Sequence, residues 1–103
     1  ELPDAATDEE VVERLARSTV LLFMKGPPEA PRCRFSRVAV QILKAHGVSF
    51  DHVDVLEEPA FRLAMLVHWP TFPQLWVEGM LLGGSDALSQ LAERGELRDV
   101  LRS

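Results

Sequence analysis

Five consecutive apolar residues, Val20-Leu21-Leu22-Phe23-Met24, most narrow what this chain can fold into. A membrane helix needs about 20 apolar residues, so the run does not span a bilayer. A strand with one wet face alternates apolar and polar residues, whereas one without alternation is covered on both faces. The run therefore predicts a central strand between two layers of helix. Gly26-Pro27-Pro28 ends it, and Pro31 closes the loop that follows.

The flanking segments supply those helices. Thr7-Asp8-Glu9-Glu10 is a capping box, and Val11, Val12, Leu15 and Ala16 recur at helical spacing, predicting a helix over about 8–17. After Cys33, the residues Phe35, Val38, Ile42 and Leu43 mark the apolar face of a second helix, with Gly47 at its C-terminal cap. Phe50, Val53 and Val55 suit a second strand. Pro59 belongs in the first turn of a helix within Glu57–Val67, whose stripe is Leu63, Leu66 and Val67. Trp69-Pro70-Thr71-Phe72-Pro73 is extended, because each proline biases its predecessor away from helix.

Gln74–Val77 and Met80–Leu82 read as strands joined by a tight Glu78-Gly79 turn. Gly83-Gly84 breaks the second strand, Ser85 or Asp86 caps a final helix, and Gly95 interrupts that helix. The order α, β, α, β, α, β, β, α predicts an α/β fold. Its four-stranded mixed sheet has the first two strands parallel, a terminal hairpin, and helices on both faces. The chain reads as a single domain over 1–103, with 1–6 a flexible N-terminal segment.

Charge and cysteine usage narrow the function. The net charge of −5 gives nucleic-acid binding no global support. Segment 25–37 runs the other way: Lys25, Arg32, Arg34 and Arg37 against Glu29 give a net +3, leaving −8 elsewhere. A local basic patch on an acidic domain suits a small anion. One cysteine, Cys33, excludes an internal disulfide and fits an intracellular reducing compartment. The acidic, polar opening has no signal-peptide pattern.

Cys33 follows a strand and a loop and opens a helix. Unpaired N–H groups there, with Arg32, Arg34 and Arg37 nearby, favour a thiolate, the form that attacks or binds metal. Lone cysteines elsewhere are commonly inert packing residues. Ser36 stands where a Cys-x-x-Cys pair would have its second sulfur, so Cys33 must work with an outside thiol or a metal. His46, His52 and His68 share no ligand spacing, and Trp76 reads as an ordinary strand residue.

Four segments in order form a specific pattern: Phe23-Met24-Lys25-Gly26, Pro31-Arg32-Cys33-Arg34-Phe35-Ser36, Trp69-Pro70-Thr71-Phe72-Pro73-Gln74-Leu75, and Gly83-Gly84-Ser85-Asp86. The pattern resembles the monothiol glutaredoxins, whose signature is Cys-Gly-Phe-Ser, from about Val11 to Leu101. The resemblance implies a thioredoxin fold, glutathione binding and, often, a [2Fe-2S] cluster bridging a homodimer. Iron–sulfur acceptor or regulatory proteins would be the partners. Such a cluster takes about four thiolates, so one per chain requires a dimer and outside thiols.

By the same resemblance, Cys33 is the catalytic sulfur and the cluster ligand. Lys25 approaches that sulfur and a glutathione carboxylate. Thr71 presents its backbone to the cysteinyl part of glutathione, and Pro73 is a cis-proline. Ser85 and Asp86 hold the γ-glutamyl end, and Arg62 faces the glycyl carboxylate. Phe35, Phe72 and Gly84 complete the expected glutathione site.

Two departures from the pattern matter. Arg34 replaces the family's glycine and is expected to weaken cluster binding while thiol and glutathione binding survive. Leu63–His68 is about two residues short and lacks the usual lysine and tyrosine-serine pair, removing a contact to the glycyl carboxylate. Two other functions therefore stand beside the glutathione and iron–sulfur module. One is a degenerate adaptor domain with little ligand binding. The other is a weak glutathione-dependent thiol oxidoreductase.

Overall fold

In the computed structural model, which describes residues 4–101, the apolar run forms β1 (Val20–Met24) with every residue buried. Alternate side chains leave a strand in opposite directions. Val20, Leu22 and Met24 pack with Ala39, Val40, Leu43 and Leu88 in one layer. Leu21 and Phe23 pack with Val11, Val53, Phe61 and Met65 in the other. The run is uninterrupted because both of its faces feed a core.

The sheet order is β2-β1-β3-β4, where β2 is Asp51–Asp54, β3 is Gln74–Val77 and β4 is Met80–Gly83. β1 pairs parallel with β2 and antiparallel with β3, and β3 pairs antiparallel with β4. Glu78 (φ 50°) and Gly79 (φ 78°) make the hairpin turn. Two successive positive φ values match the twist of the flanking strands.

Five helices cover this sheet among the described residues: α1 (Asp8–Ala16), α2 (Arg34–Ala45), α3 (Pro59–Met65), α4 (Ser85–Glu93) and α5 (Leu97–Leu101). α1 begins on the expected capping box. The Glu10 N–H donates to Thr7 Oγ1 at 3.1 Å, and the Thr7 N–H donates to Glu10 Oε1 at 3.0 Å. Part of segment 1–6 lies outside the described residues. Within it, the Ala6 N–H donates to the Ala60 carbonyl at 2.9 Å. No helix of the described residues is long and apolar enough to cross a membrane.

Two helical faces differ from expectation. In α2 the inward residues are Ser36, Ala39, Val40 and Leu43, not Phe35, which is 47% exposed. Small side chains at 36 and 39 let the helix lie close to the sheet, which turns the adjacent phenylalanine outward. In α3 the expected stripe of Leu63, Leu66 and Val67 is exposed, and Phe61 and Met65 are buried instead. Seven residues make only two turns, so one i, i+4 pair faces the core, and the pair with the larger payload takes that face. Gly95 ends α4 outright. Its N–H donates to the Ala92 carbonyl, the Glu96 N–H donates to Leu91, and α5 begins as a separate helix.

Candidate functional site

Cys33 is the N-cap residue of α2, with extended backbone (φ −151°, ψ 135°). An N-cap acceptor is reached by the N–H groups of the second and third helical residues, here Phe35 and Ser36. Burial pushes the Cys33 thiol pKa up. The backbone N–H groups of Ser36 and Phe35, the Ser36 hydroxyl and the Lys25 ammonium outweigh it, and the thiol ends below its ordinary value. Of the neighbouring cations, Lys25 favours the thiolate through its charge. Arg34 lays its guanidinium over the Phe35 ring, 5.0 Å from the centroid.

Ser36 does more than stand in for a second cysteine. It is fully buried, and its Oγ accepts the Lys25 N–H at 3.1 Å. One hydroxyl thus joins the end of β1 to the start of α2, beside the sulfur. The intervening loop is tied at both ends. The Arg32 N–H donates to the Lys25 carbonyl at 2.8 Å, and the Gly26 N–H donates to Asp54 Oδ1 at 2.9 Å. Gly26 has φ +84°, and a Cβ there would sit 2.7 Å from the Arg32 nitrogen and 2.9 Å from the Ala30 carbonyl. Only glycine lets the loop fold back so tightly before Cys33.

Segment 69–73, expected to be extended, bends over 70–72 instead, because each proline restrains only the residue before it, and it carries a cis Phe72-Pro73 bond. The Phe72 side chain is buried with Phe23, Val53 and Trp76. Next in the chain is Gln74, fully buried, which stands in the sequence pattern without an expected role. Its Nε2 lies 3.0 Å from the Met65 carbonyl, 3.1 Å from that of Trp69 and 3.4 Å from that of Thr71. Its Oε1 accepts the Trp76 Nε1–H at 3.1 Å. The one sequence signal was an amide among the apolar residues of a central strand, where a buried polar group must find partners.

At α4 the cap is Gly84, not Ser85 or Asp86, and no side chain caps the helix. Ser85 and Asp86 lie inside the first turn. The unpaired N–H groups of that turn are left for another acceptor.

All ten expected site residues line a single open cleft of about 850 Å³: Cys33, Lys25, Phe35, Arg62, Thr71, Phe72, Pro73, Gly84, Ser85 and Asp86. Leu66, Trp69, Pro70, Ala87 and Gln90 complete the lining. Lys25, Arg62 and Asp86 form no ion pair with another described residue. The cleft therefore offers two cations, a carboxylate and an open helix start within reach of one thiolate-prone sulfur. That set suits a small thiol bearing both carboxylate and ammonium groups.

A mixed sheet layered by helices, with a cysteine at a helix start and a cis-proline in the same cleft, defines a thioredoxin-fold thiol protein. The glutaredoxin family profile matches residues 20–82. Glutaredoxin 4 of Escherichia coli strain K12 is 44% identical over 100 residues, covering 95% of this chain and 87% of that protein. The probable monothiol glutaredoxin GrlA of Legionella pneumophila is 49% identical over 84 residues, covering 80% of this chain and 94% of its own. The solution structure of a monomeric truncated mutant of Trypanosoma brucei 1-C-Grx1 superposes with a TM-score of 0.82 at 33% identity, covering 95% of this chain and 91% of that one. The chain belongs to the glutaredoxin family, on its monothiol branch.

Proposed function

We propose that the cleft binds glutathione and that Cys33 acts on, or together with, the bound thiol. The observation that carries this reading is the convergence of the ten residues on one cleft with complementary charge. Glutathione has two carboxylates, an ammonium and a thiol. Lys25 and Arg62 suit the carboxylates, Asp86 the ammonium, and the α4 N–H groups the γ-glutamyl carboxylate. The backbone at Thr71 and Phe72, which lines the cleft, suits the cysteinyl unit.

With one cysteine, the supported thiol chemistry is a two-step exchange. The Cys33 thiolate attacks the glutathionyl sulfur of a mixed disulfide. That bond breaks, the partner thiolate leaves and takes a proton, and Cys33 is left joined to glutathione. A second glutathione thiolate attacks the glutathionyl sulfur, releasing oxidised glutathione and the Cys33 thiolate.

The second reading is a [2Fe-2S] cluster shared between two chains. The described residues hold no group of three or more His, Cys, Asp or Glu side chains placed for a metal. Cys33, half-buried with a lowered thiol pKa, is the residue that would hold such a cluster, with outside thiols as the other ligands. Bound there, the cluster would supply electron transfer or a transferable iron–sulfur unit. Arg34, stacked on Phe35 beside the sulfur, adds bulk and charge where a second subunit would approach.

Glutathione titration followed by NMR tests the first reading. Shifts at Lys25, Thr71, Phe72, Ser85 and Asp86 in the native protein and in Cys33→Ser are expected. No binding at millimolar glutathione leaves the adaptor reading instead. Anaerobic iron–sulfur reconstitution tests the second reading. Arg34→Gly should hold more cluster than the native chain, and equal stable loading of both would sink the argument about Arg34.

A further inference from the structure

We propose that Gln74 is a positioning residue for the ligand: its side-chain amide holds the Trp69–Pro73 wall of the cleft in the form that accepts a thiol peptide. The inference rests on the glutathione reading above and deepens it.

The chemistry of the amide decides its orientation. Three carbonyls, those of Met65, Trp69 and Thr71, converge on one end of Gln74, and only the NH₂ group can donate to them. The Trp76 indole N–H, a pure donor, meets the other end, which must be the oxygen. Gln74 is completely buried, so no water replaces these bonds. Two hydrogens serve three acceptors, and Thr71, at 3.4 Å, is held at the longest distance.

The three carbonyls do not depend on Gln74 equally. The Met65 carbonyl also accepts the N–H groups of His68 and Trp69, so the end of α3 is secured without the glutamine. For the carbonyls of Trp69 and Thr71, the amide is the partner found among the described residues. Both residues line the cleft, as do Pro70, Phe72 and Pro73 between and after them. The amide thus ties the carbonyls of Trp69 and Thr71 to the buried start of β3. The wall has no helix or strand of its own to hold its shape before β3 begins at Gln74. Gln74 joins that wall to the sheet.

The test compares the native chain with Gln74→Met, which keeps length and removes the side-chain hydrogen bonds, and with Trp76→Phe, which removes the indole donor and part of the buried ring but leaves the amide its bonds to the wall. Glutathione affinity is measured by NMR titration, the Cys33 thiolate by the pH dependence of alkylation, and the wall by backbone ¹⁵N relaxation at Trp69, Thr71 and Phe72 in the free protein. In Gln74→Met, affinity should fall about tenfold, as expected for one to two lost hydrogen bonds. Wall amides should become more mobile, and the alkylation profile should not move, because Gln74 is not among the groups acting on the sulfur. Trp76→Phe should bind within about twofold of native. Affinity unchanged in Gln74→Met, or lost equally in both variants, overturns the proposal. If the native chain binds no glutathione, the glutathione reading fails by itself. Relaxation then decides the amide's role: unchanged wall dynamics in Gln74→Met overturn it, and increased mobility supports it.

Discussion

Replacing Ser36 by alanine tests the link between the loop and the sulfur most directly. The Oγ is buried and accepts the Lys25 N–H at 3.1 Å, and it also helps hold the Cys33 thiol pKa down. Alanine removes the acceptor and leaves a part-buried backbone donor with no replacement. Such a loss costs about 1–3 kcal/mol. For a domain near 100 residues each kcal/mol lowers Tm by roughly 4–8 °C, so a large drop is expected. The thiol pKa should rise toward its ordinary value, because one group favouring the thiolate is gone while burial is unchanged. The assays are thermal unfolding and the rate of Cys33 alkylation against pH. A lowered Tm with an unmoved alkylation profile would refute the claim that the hydroxyl acts on the sulfur. An unchanged Tm would refute its role in tying the loop.

Three further outcomes are expected. Gly26→Ala should destabilise by about 1–3 kcal/mol, because it combines φ +84° with a Cβ 2.7 Å from the Arg32 nitrogen, and urea unfolding reads this directly. Leu88→Ala should cost about 2–5 kcal/mol by opening a cavity under α4, with a matching fall in the urea midpoint. Cys33 sets a pH dependence whose sign follows from its depressed folded pKa. Its contribution to stability is present above the unfolded thiol pKa and lost as pH falls through the folded value. The native chain should therefore gain stability over Cys33→Ser between neutral and mildly alkaline pH, and parallel stability curves across that window would contradict the depressed thiol.

Legibility differed by the kind of signal involved. Capping and turn chemistry are local, so the Thr7 box and the Glu78-Gly79 turn were readable from neighbours in the chain, whereas Gly83, expected to break β4, ends it from within and Gly84 caps α4 in place of Ser85 or Asp86. The α3 face and the place of Phe35 on α2 were misread, because several apolar residues competed for few inward positions and only the packing partners chose among them. Gln74 stood in the pattern without a role, because the importance of a buried amide lies in carbonyls that the sequence does not place beside it.

By itself the sequence determined that Val20–Met24 runs through the middle of a two-layered core, since an unbroken apolar run is stable only when both faces are dry. It also determined that Cys33 opens a helix and has no second cysteine with which to form an internal disulfide. Tertiary structure decided how that sulfur is held: by the N–H groups of Phe35 and Ser36, the Ser36 hydroxyl and the Lys25 ammonium that the family pattern pointed to. Lys25 follows directly on β1, where its backbone N–H donates to the Ser36 hydroxyl, and this brings its ammonium to bear on the sulfur. Electrostatic influence falls with distance through space and with solvent screening, and neither is set by position along the chain.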